Sequence, residues 1–271
     1  MVKVKYMKSP FLDRVNLDLL AKDYWEFSSF KSQDPVVFFE TNPIVSCSKN
    51  VFEDEWLSKV SSILRGGSVG RVLDIGAGDG RLARRLRSES LEVSCLEPAT
   101  SLAGLLKEDN FHVIEQKWLD WDCKESFDTL IFNRSFVVCA IEKDGMNLMR
   151  SVHKLLRYAP SIGFVVFPPI ERLSNPGELE SELFSGGLTK PLYTPAIYAF
   201  FESGLLPGIE FFSMVEKKEY GSLQECLDKD FRCIEHTKML RSLVQKSLFL
   251  EDNKLFRKRD MVTMVLRWSG R

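Results

Sequence analysis

The sequence predicts an α/β fold in which a mostly parallel sheet carries helices on both faces. Three observations point there. Residues 71–80 run from a short apolar strand (Val72, Leu73, Ile75) into Gly76, Gly78 and Gly80 and then a helix start. Strand-like and helix-like stretches alternate from there onward. Residues 128–133 contain the continuous apolar run Leu130, Ile131, Phe132, the pattern of a parallel strand covered on both sides.

In chain order, residues 1–66 read as a helical lead-in or cap and residues 67–271 as the α/β domain. The lead-in has helical patches at 12–25 and 53–64, separated by turn-rich 32–35 and by Asn42-Pro43. Asp54 and Glu55 come early in the second patch and Lys59 late, as the helix dipole favours, and Gly66-Gly67 ends it. After the first strand and its glycine loop, Leu82 and Leu86 give a helix an apolar stripe. A second strand covers 92–97 and stops on the acid Glu97. Pro98 follows, then Thr100 and Ser101 as candidate caps of a helix through Leu105 and Leu106.

A third strand fits 111–115 and a fourth 128–133. Met146, Met149, Val152, Leu155 and Leu156 mark a helix, and 163–167 a fifth strand halted by Pro168-Pro169. Residues 170–191 turn polar and glycine-rich and read as an inserted lid or cap. A helix at 196–203, a sixth strand at 209–215 and an alternating seventh at 261–268 complete the sheet. A second insertion, helical, occupies about 222–250.

Composition bounds the function. Charged residues make up 28% and hydrophobic ones 44%, ordinary for a soluble globular chain, and the formal net charge of -1 gives no overall pull toward a polyanion. Two local basic runs, Arg81 with Arg84, Arg85 and Arg87, and Lys254 with Arg257, Lys258 and Arg259, read as a solvated helix face or loop. Cys47, Cys95, Cys123, Cys139, Cys226 and Cys233 show no C-x-x-C spacing, which fits reduced packing residues and no metal site. His112, His153 and His236 are scattered. The N-terminal stretch lacks an apolar leader core, and a cytoplasmic protein is expected.

A glycine loop after the first strand, with an acid closing the second, is the arrangement of a nucleoside site. Backbone amides meet the polar part of the ligand, and a carboxylate accepts the ribose hydroxyls. Arg81 stands where a dinucleotide fingerprint needs glycine or alanine, and no Gly-Lys-Ser/Thr follows for a phosphate loop.

Residues 72–80, Val-Leu-Asp-Ile-Gly-Ala-Gly-Asp-Gly, resemble motif I of the class I S-adenosylmethionine-dependent methyltransferases. The likeness continues through Leu96-Glu97-Pro98 and through 126–131, covering about 70–168, and Tyr24-Trp25 resembles a lead-in of small-molecule members. The resemblance implies a seven-stranded Rossmann-like sheet and S-adenosyl-L-methionine as cofactor. It implies that Asp74 and the backbone of Gly76, Ala77, Gly78 and Gly80 hold the methionine end, and that Glu97, followed by Pro98, holds the ribose.

Many members carry an adenine-binding acid after the third strand, where this chain has Gln116-Lys117-Trp118-Leu119-Asp120. Trp118 can offer a ring face to adenine there, with Trp121 and Asp120 as alternatives. Asn133 and Arg134, at the end of strand four, are expected to line the space between cofactor and acceptor. With Tyr193 and Tyr198 they are the acceptor-side candidates, and no catalytic base stands out. The expected acceptor is a small molecule, with RNA or protein as the alternative acceptor and a non-catalytic cofactor-binding protein as the alternative role. No membrane association is expected.

Overall fold

The structure, a computed structural model, describes residues 34–41, 51–122, 124–142, 145–172, 193–230 and 238–269. The expected helix at 12–25, Tyr24-Trp25, nearly all of the 170–191 insertion, Cys47, Cys123, Cys233 and His236 lie outside the described residues.

Two lead-in helices come first, α1 (Pro35–Thr41) and α2 (Val51–Gly67). In α2, Glu53 and Asp54 sit in the first turn and Arg65 in the last. Trp56, Val60 and Leu64, spaced by four, are each fully buried against the sheet. The sheet then opens with β1 (Val72–Ile75), α3 (Arg81–Ser88), β2 (Val93–Leu96), α4 (Thr100–Glu108), β3 (His112–Ile114) and β4 (Thr129–Asn133). All four residues of β1 are buried. Val72 packs with α2 and α3, while Leu73 and Ile75 pack into the core on the opposite face. The first strand therefore reads as uniformly apolar around its one acid because both of its faces are covered.

A short helix α5 (Phe136–Cys139) and a ribbon of β5 (Ile141–Glu142) and β6 (Gly145–Met146) lead to α6 (Leu148–Tyr158). The Asn147 side chain caps α6 by accepting from the Arg150 N–H at 3.0 Å. Then follow β7 (Ile162–Val166), β8 (Ile170–Arg172), α7 (Tyr193–Glu202), β9 (Gly208–Tyr220), α8 (Leu223–Asp230), α9 (Lys238–Ser247), β10 (Leu248–Glu251) and β11 (Lys254–Ser269).

Neighbouring strands run in the order β3-β2-β1-β4-β7-β11, parallel as far as β7. Strand β11 runs against β7, and β9 closes the far edge, antiparallel to β11 from Gly208 to Tyr220. From β1 the chain winds outward to β3 and then crosses back to β4 on the other side. The carboxyl ends of β1 and β4 thus form the switch point at which open α/β sheets bind ligands.

All seven expected strands are present. Beside them stand β8 and β10, which the sequence reading did not separate, and the last two strands are longer than expected. The run from Lys254 to Arg259 lies within β11, not on a helix face or a loop, so strand alternation splits its cations between two faces. Its cations also meet partners: Lys254 pairs with Glu219 at 3.0 Å, Arg259 with Glu216, and Arg257 donates to Ser247 Oγ at 3.0 Å. Among the described residues, no helix is long and apolar enough to cross a membrane.

Candidate functional site

The site begins at the end of β1. The Gly76 N–H donates to the Leu96 carbonyl at 2.8 Å, tying the loop to β2. Gly76 has φ +69°, and a Cβ there would lie 2.7 Å from Ser135 Cβ, so only glycine lets the loop pass this close to the β4 end. Gly78 has φ +58°, with no atom within 4 Å of where its Cβ would be, and its backbone is open to the space above.

Glu97 turns under that loop. Its Oε2 accepts from the Gly78 N–H at 2.8 Å and its Oε1 from the Ala99 N–H at 3.0 Å. Burial raises its carboxyl pKa, against the pull of these two donors. Asp74 is 1% exposed, and its Oδ1 has no hydrogen-bond partner. Burial, and then the nearby charge of Glu97, push its carboxyl up to about 7.

Above the loop is a cavity of about 390 Å³. Glu97, Pro98 and Leu102 form one wall, Asn133, Arg134 and Ser135 the other, and Val36, Phe39 and Leu57 of the lead-in helices the roof. Helix α1 is pinned at both ends. Asp34 caps it by accepting from the Val36 N–H at 2.8 Å, and its other oxygen meets Lys117 Nζ at 2.6 Å. Burial pushes the Asp34 carboxyl up, but Lys117 and the Val36 N–H outweigh that and hold it below its ordinary value. At the other end, Glu40 accepts from the Thr100 and Ser101 N–H groups at the start of α4. These donors hold its carboxyl below the ordinary value. Thr100 and Ser101, expected as caps, instead lie inside α4, after an N-cap Ala99 that has no side-chain oxygen. The acid that meets this helix end comes from 60 residues away.

Every cation among the described lining residues meets an acid. Arg81 pairs with Asp79 at 3.1 Å, Lys117 with Asp34, and Arg134 with Glu53 through two 3.0 Å contacts. Arg134 also lies over the Trp56 ring, 3.7 Å from its centroid, and its backbone, at φ +60°, donates to the Val166 carbonyl. Trp56 in turn donates to Thr263 Oγ1 at 2.8 Å. Among the described lining residues four acids face three bases, and the acid left over is Glu97.

Of the residues expected at the cofactor, Gly76, Ala77, Gly78, Glu97, Pro98, Trp118 and Asn133 line the cavity, as does Arg134 from the acceptor-side group. Asp74 lies outside the lining, and a Cβ on Gly80 would meet Leu106, not the cavity. Trp118 is 1% exposed, donates to Ser151 Oγ at 2.8 Å and packs edge-on against Phe132. Most of its surface is therefore committed to the core. Trp121 packs against Phe127 and Tyr158, and Asp120 is exposed; neither lines the cavity. Tyr198 is half-buried on α7, away from the cavity lining. Tyr193 begins α7, and its side chain lies outside the described residues.

Sequence reasoning missed Asp34, Glu53 and Lys117. Their only local signals are the helix-start positions of the two acids, because the partners they meet are 81 or more residues away. Among the described residues, no group of three or more His, Cys, Asp or Glu could hold a metal ion.

No family model matches the chain, and no curated protein matches it in sequence. Solved structures resemble it in shape. Precorrin-6y C5,15-methyltransferase from Geobacter metallireducens GS-15 is 15% identical with a TM-score of 0.48, covering 88% of this chain and 100% of its own. The YcgJ protein of Bacillus subtilis is 13% identical with a TM-score of 0.46, covering 78% and 97%. The N-methyltransferase NodS from Bradyrhizobium japonicum WM9, solved with S-adenosyl-L-homocysteine, is 11% identical with a TM-score of 0.43, covering 82% and 89%.

Proposed function

We propose that this chain, which has the Rossmann-like sheet of class I S-adenosylmethionine-dependent methyltransferases, transfers a methyl group from S-adenosyl-L-methionine to a small-molecule acceptor. The observation that carries the reading is the charge of the cavity wall. Among the described residues its three cations are each neutralised, while Glu97, beside the glycine loop, is matched by no cationic side chain. A nucleotide's phosphates would find only backbone N–H groups here and no unspent cationic side chain among the described residues. A nucleoside bearing a sulfonium and an ammonium needs negative charge instead.

The residues present fit such a ligand. Each Glu97 oxygen accepts one backbone N–H and keeps a lone pair for a ribose hydroxyl. Asn133, at the end of β4, lines the same cavity. Gly78 puts no side chain into this space, and Val36, Phe39 and Leu57 of α1 and α2 add apolar lining. Asp74, beneath the loop, adds negative potential without contact. When bound, S-adenosylmethionine supplies a methyl group on a positively charged sulfur. What this chain contributes is alignment of an acceptor in a preformed cavity, which is most of what such a displacement requires.

Calorimetry with S-adenosylmethionine, S-adenosylhomocysteine and NAD tests the reading. Binding of the first two and not of NAD is expected, with S-adenosylhomocysteine produced when fractionated metabolites are added. A folded chain that binds NAD and neither sulfur nucleoside would sink it. Binding without turnover on any fraction would reduce the role to cofactor binding.

A further inference from the structure

Three strand ends lie side by side at the cavity. The Gly76 N–H donates to the Leu96 carbonyl at 2.8 Å and the Glu97 N–H to the Ile114 carbonyl at 3.1 Å, which ties the ends of β1, β2 and β3 together in that order. Neighbouring strands stand about 4.8 Å apart. The cofactor reading puts the ribose on Glu97 and the sulfonium end over the glycine loop, so a base continuing in the same direction lies over the end of β3. Among the described lining residues, the polar side chains there are Asp34 and Lys117. These side chains are 34% and 38% exposed, so a ligand can reach both. Pro98 and Leu102, with Val36 and Phe39 of α1, offer apolar surface to a flat ring.

We infer that Asp34, braced by Lys117, makes this end of the cavity select a purine with a 6-amino group over its 6-oxo counterpart, so that the lead-in and not the sheet supplies the choice of base. One Asp34 oxygen accepts from the Val36 N–H at 2.8 Å and the other from Lys117 Nζ at 2.6 Å, and each keeps a lone pair. The Lys117 ammonium keeps N–H groups beyond the one it gives to Asp34. The pair presents an acceptor beside a donor. A 6-aminopurine offers the complement, an amino donor beside a ring-nitrogen acceptor. In the 6-oxo base a carbonyl oxygen replaces the amino group and faces the carboxylate, acceptor against acceptor. Of the loop after β3, Lys117 and Trp118 line the cavity among the described residues, and neither side chain is an acceptor: Lys117 only donates, and Trp118 gives its N–H to Ser151. The placing of the base rests on the cofactor reading.

The test titrates the full chain by calorimetry with S-adenosylhomocysteine and with S-inosylhomocysteine, its 6-oxo counterpart. The adenine compound is expected to bind about tenfold more tightly. Asp34→Asn keeps a cap for α1 but turns an amide donor toward the base, and should bring that ratio to about one. Asp34→Ser, which also caps the helix, is the second variant and should lose the preference too. Glu40→Gln, at the far end of α1, loosens the helix without touching the base and should weaken both ligands alike. A wild-type ratio near one overturns the inference, as does a folded Asp34 variant that keeps the wild-type ratio. So does a Glu40→Gln chain that loses the ratio as fully as the Asp34 variants, because docking of α1 would then set it. Adenosine and inosine separate this inference from the cofactor reading. If S-adenosylhomocysteine does not bind but adenosine outbinds inosine about tenfold, the cofactor reading falls and this one stands. If none of the four ligands binds at millimolar concentration, both fall.

Discussion

Asp74 is the residue at which stability and function pull apart. Its carboxyl is buried beneath the glycine loop, and its pKa is raised from an ordinary 3.8 to about 7 by burial and by Glu97. Between those values the native chain holds a proton that the unfolded chain has released. Stability therefore falls as pH rises from about 4 to 7 and levels off above, by ~4 kcal/mol at most. Glu97, raised by the same burial, adds a slope of the same sign. Asp74→Asn should flatten part of this slope and make the ligand-free chain more stable at pH 8, while weakening binding of a cationic nucleoside. Denaturant titrations at pH 5 and pH 8, with calorimetry at pH 8, check both effects. Equal stability of variant and wild type at pH 8 would argue against an ionised Asp74 in the ligand-free chain. The glycines and Glu97 were legible in the sequence because their signal is local: a strand, a turn and an acid within about thirty positions. Glu53 was not, because nothing near it in sequence indicates that it will meet Arg134.

Among the elements, α1 changes the reading most. A seven-residue helix has little stability of its own. It holds its place because Asp34 and Glu40, at its two ends, grip the loop after β3 and the start of α4. These grips keep Val36 and Phe39 against the cavity, and the expectation is that α1 slows the exit of a ligand bound there. The Glu40 contacts are exposed and the Asp34–Lys117 pair is part-buried, and each is individually weak. Lys117→Ala combined with Glu40→Gln should speed dissociation of S-adenosylhomocysteine by about threefold or more, and raising the salt concentration should do the same in the wild type. Stopped-flow displacement measures the rate. A rate indifferent to both changes would mean that α1 does not gate the site. The long β9 and β11 were only half legible. Their outer halves mix charged and apolar residues, and only the pairing of one strand with the other shows that Glu216 and Glu219 neutralise the cations of β11.

At the scale of the whole molecule, the joint between the parallel sheet and the reversed strand is closely packed. Gly163 of β7 faces Trp268 of β11, and a Cβ on it would lie 2.0 Å from Trp268 Cζ2. That tryptophan packs on Phe200 of α7, so it cannot yield without disturbing the helix layer. Gly163→Ala should cost about 3 kcal/mol, read from chemical denaturation, and a loss below about 1 kcal/mol would show that the joint can relax. The sequence by itself determined the α/β class, the seven principal strands and the position of the glycine loop and Glu97, because periodicity and turn chemistry act over short stretches of chain. Only the tertiary structure decided which charges meet. The lead-in helices fold back over the sheet edge and bring Asp34, Glu40 and Glu53 against partners 60 to 83 positions away. With the local Arg81–Asp79 pair, those pairings leave no spare positive charge and one unmatched acid among the described lining residues.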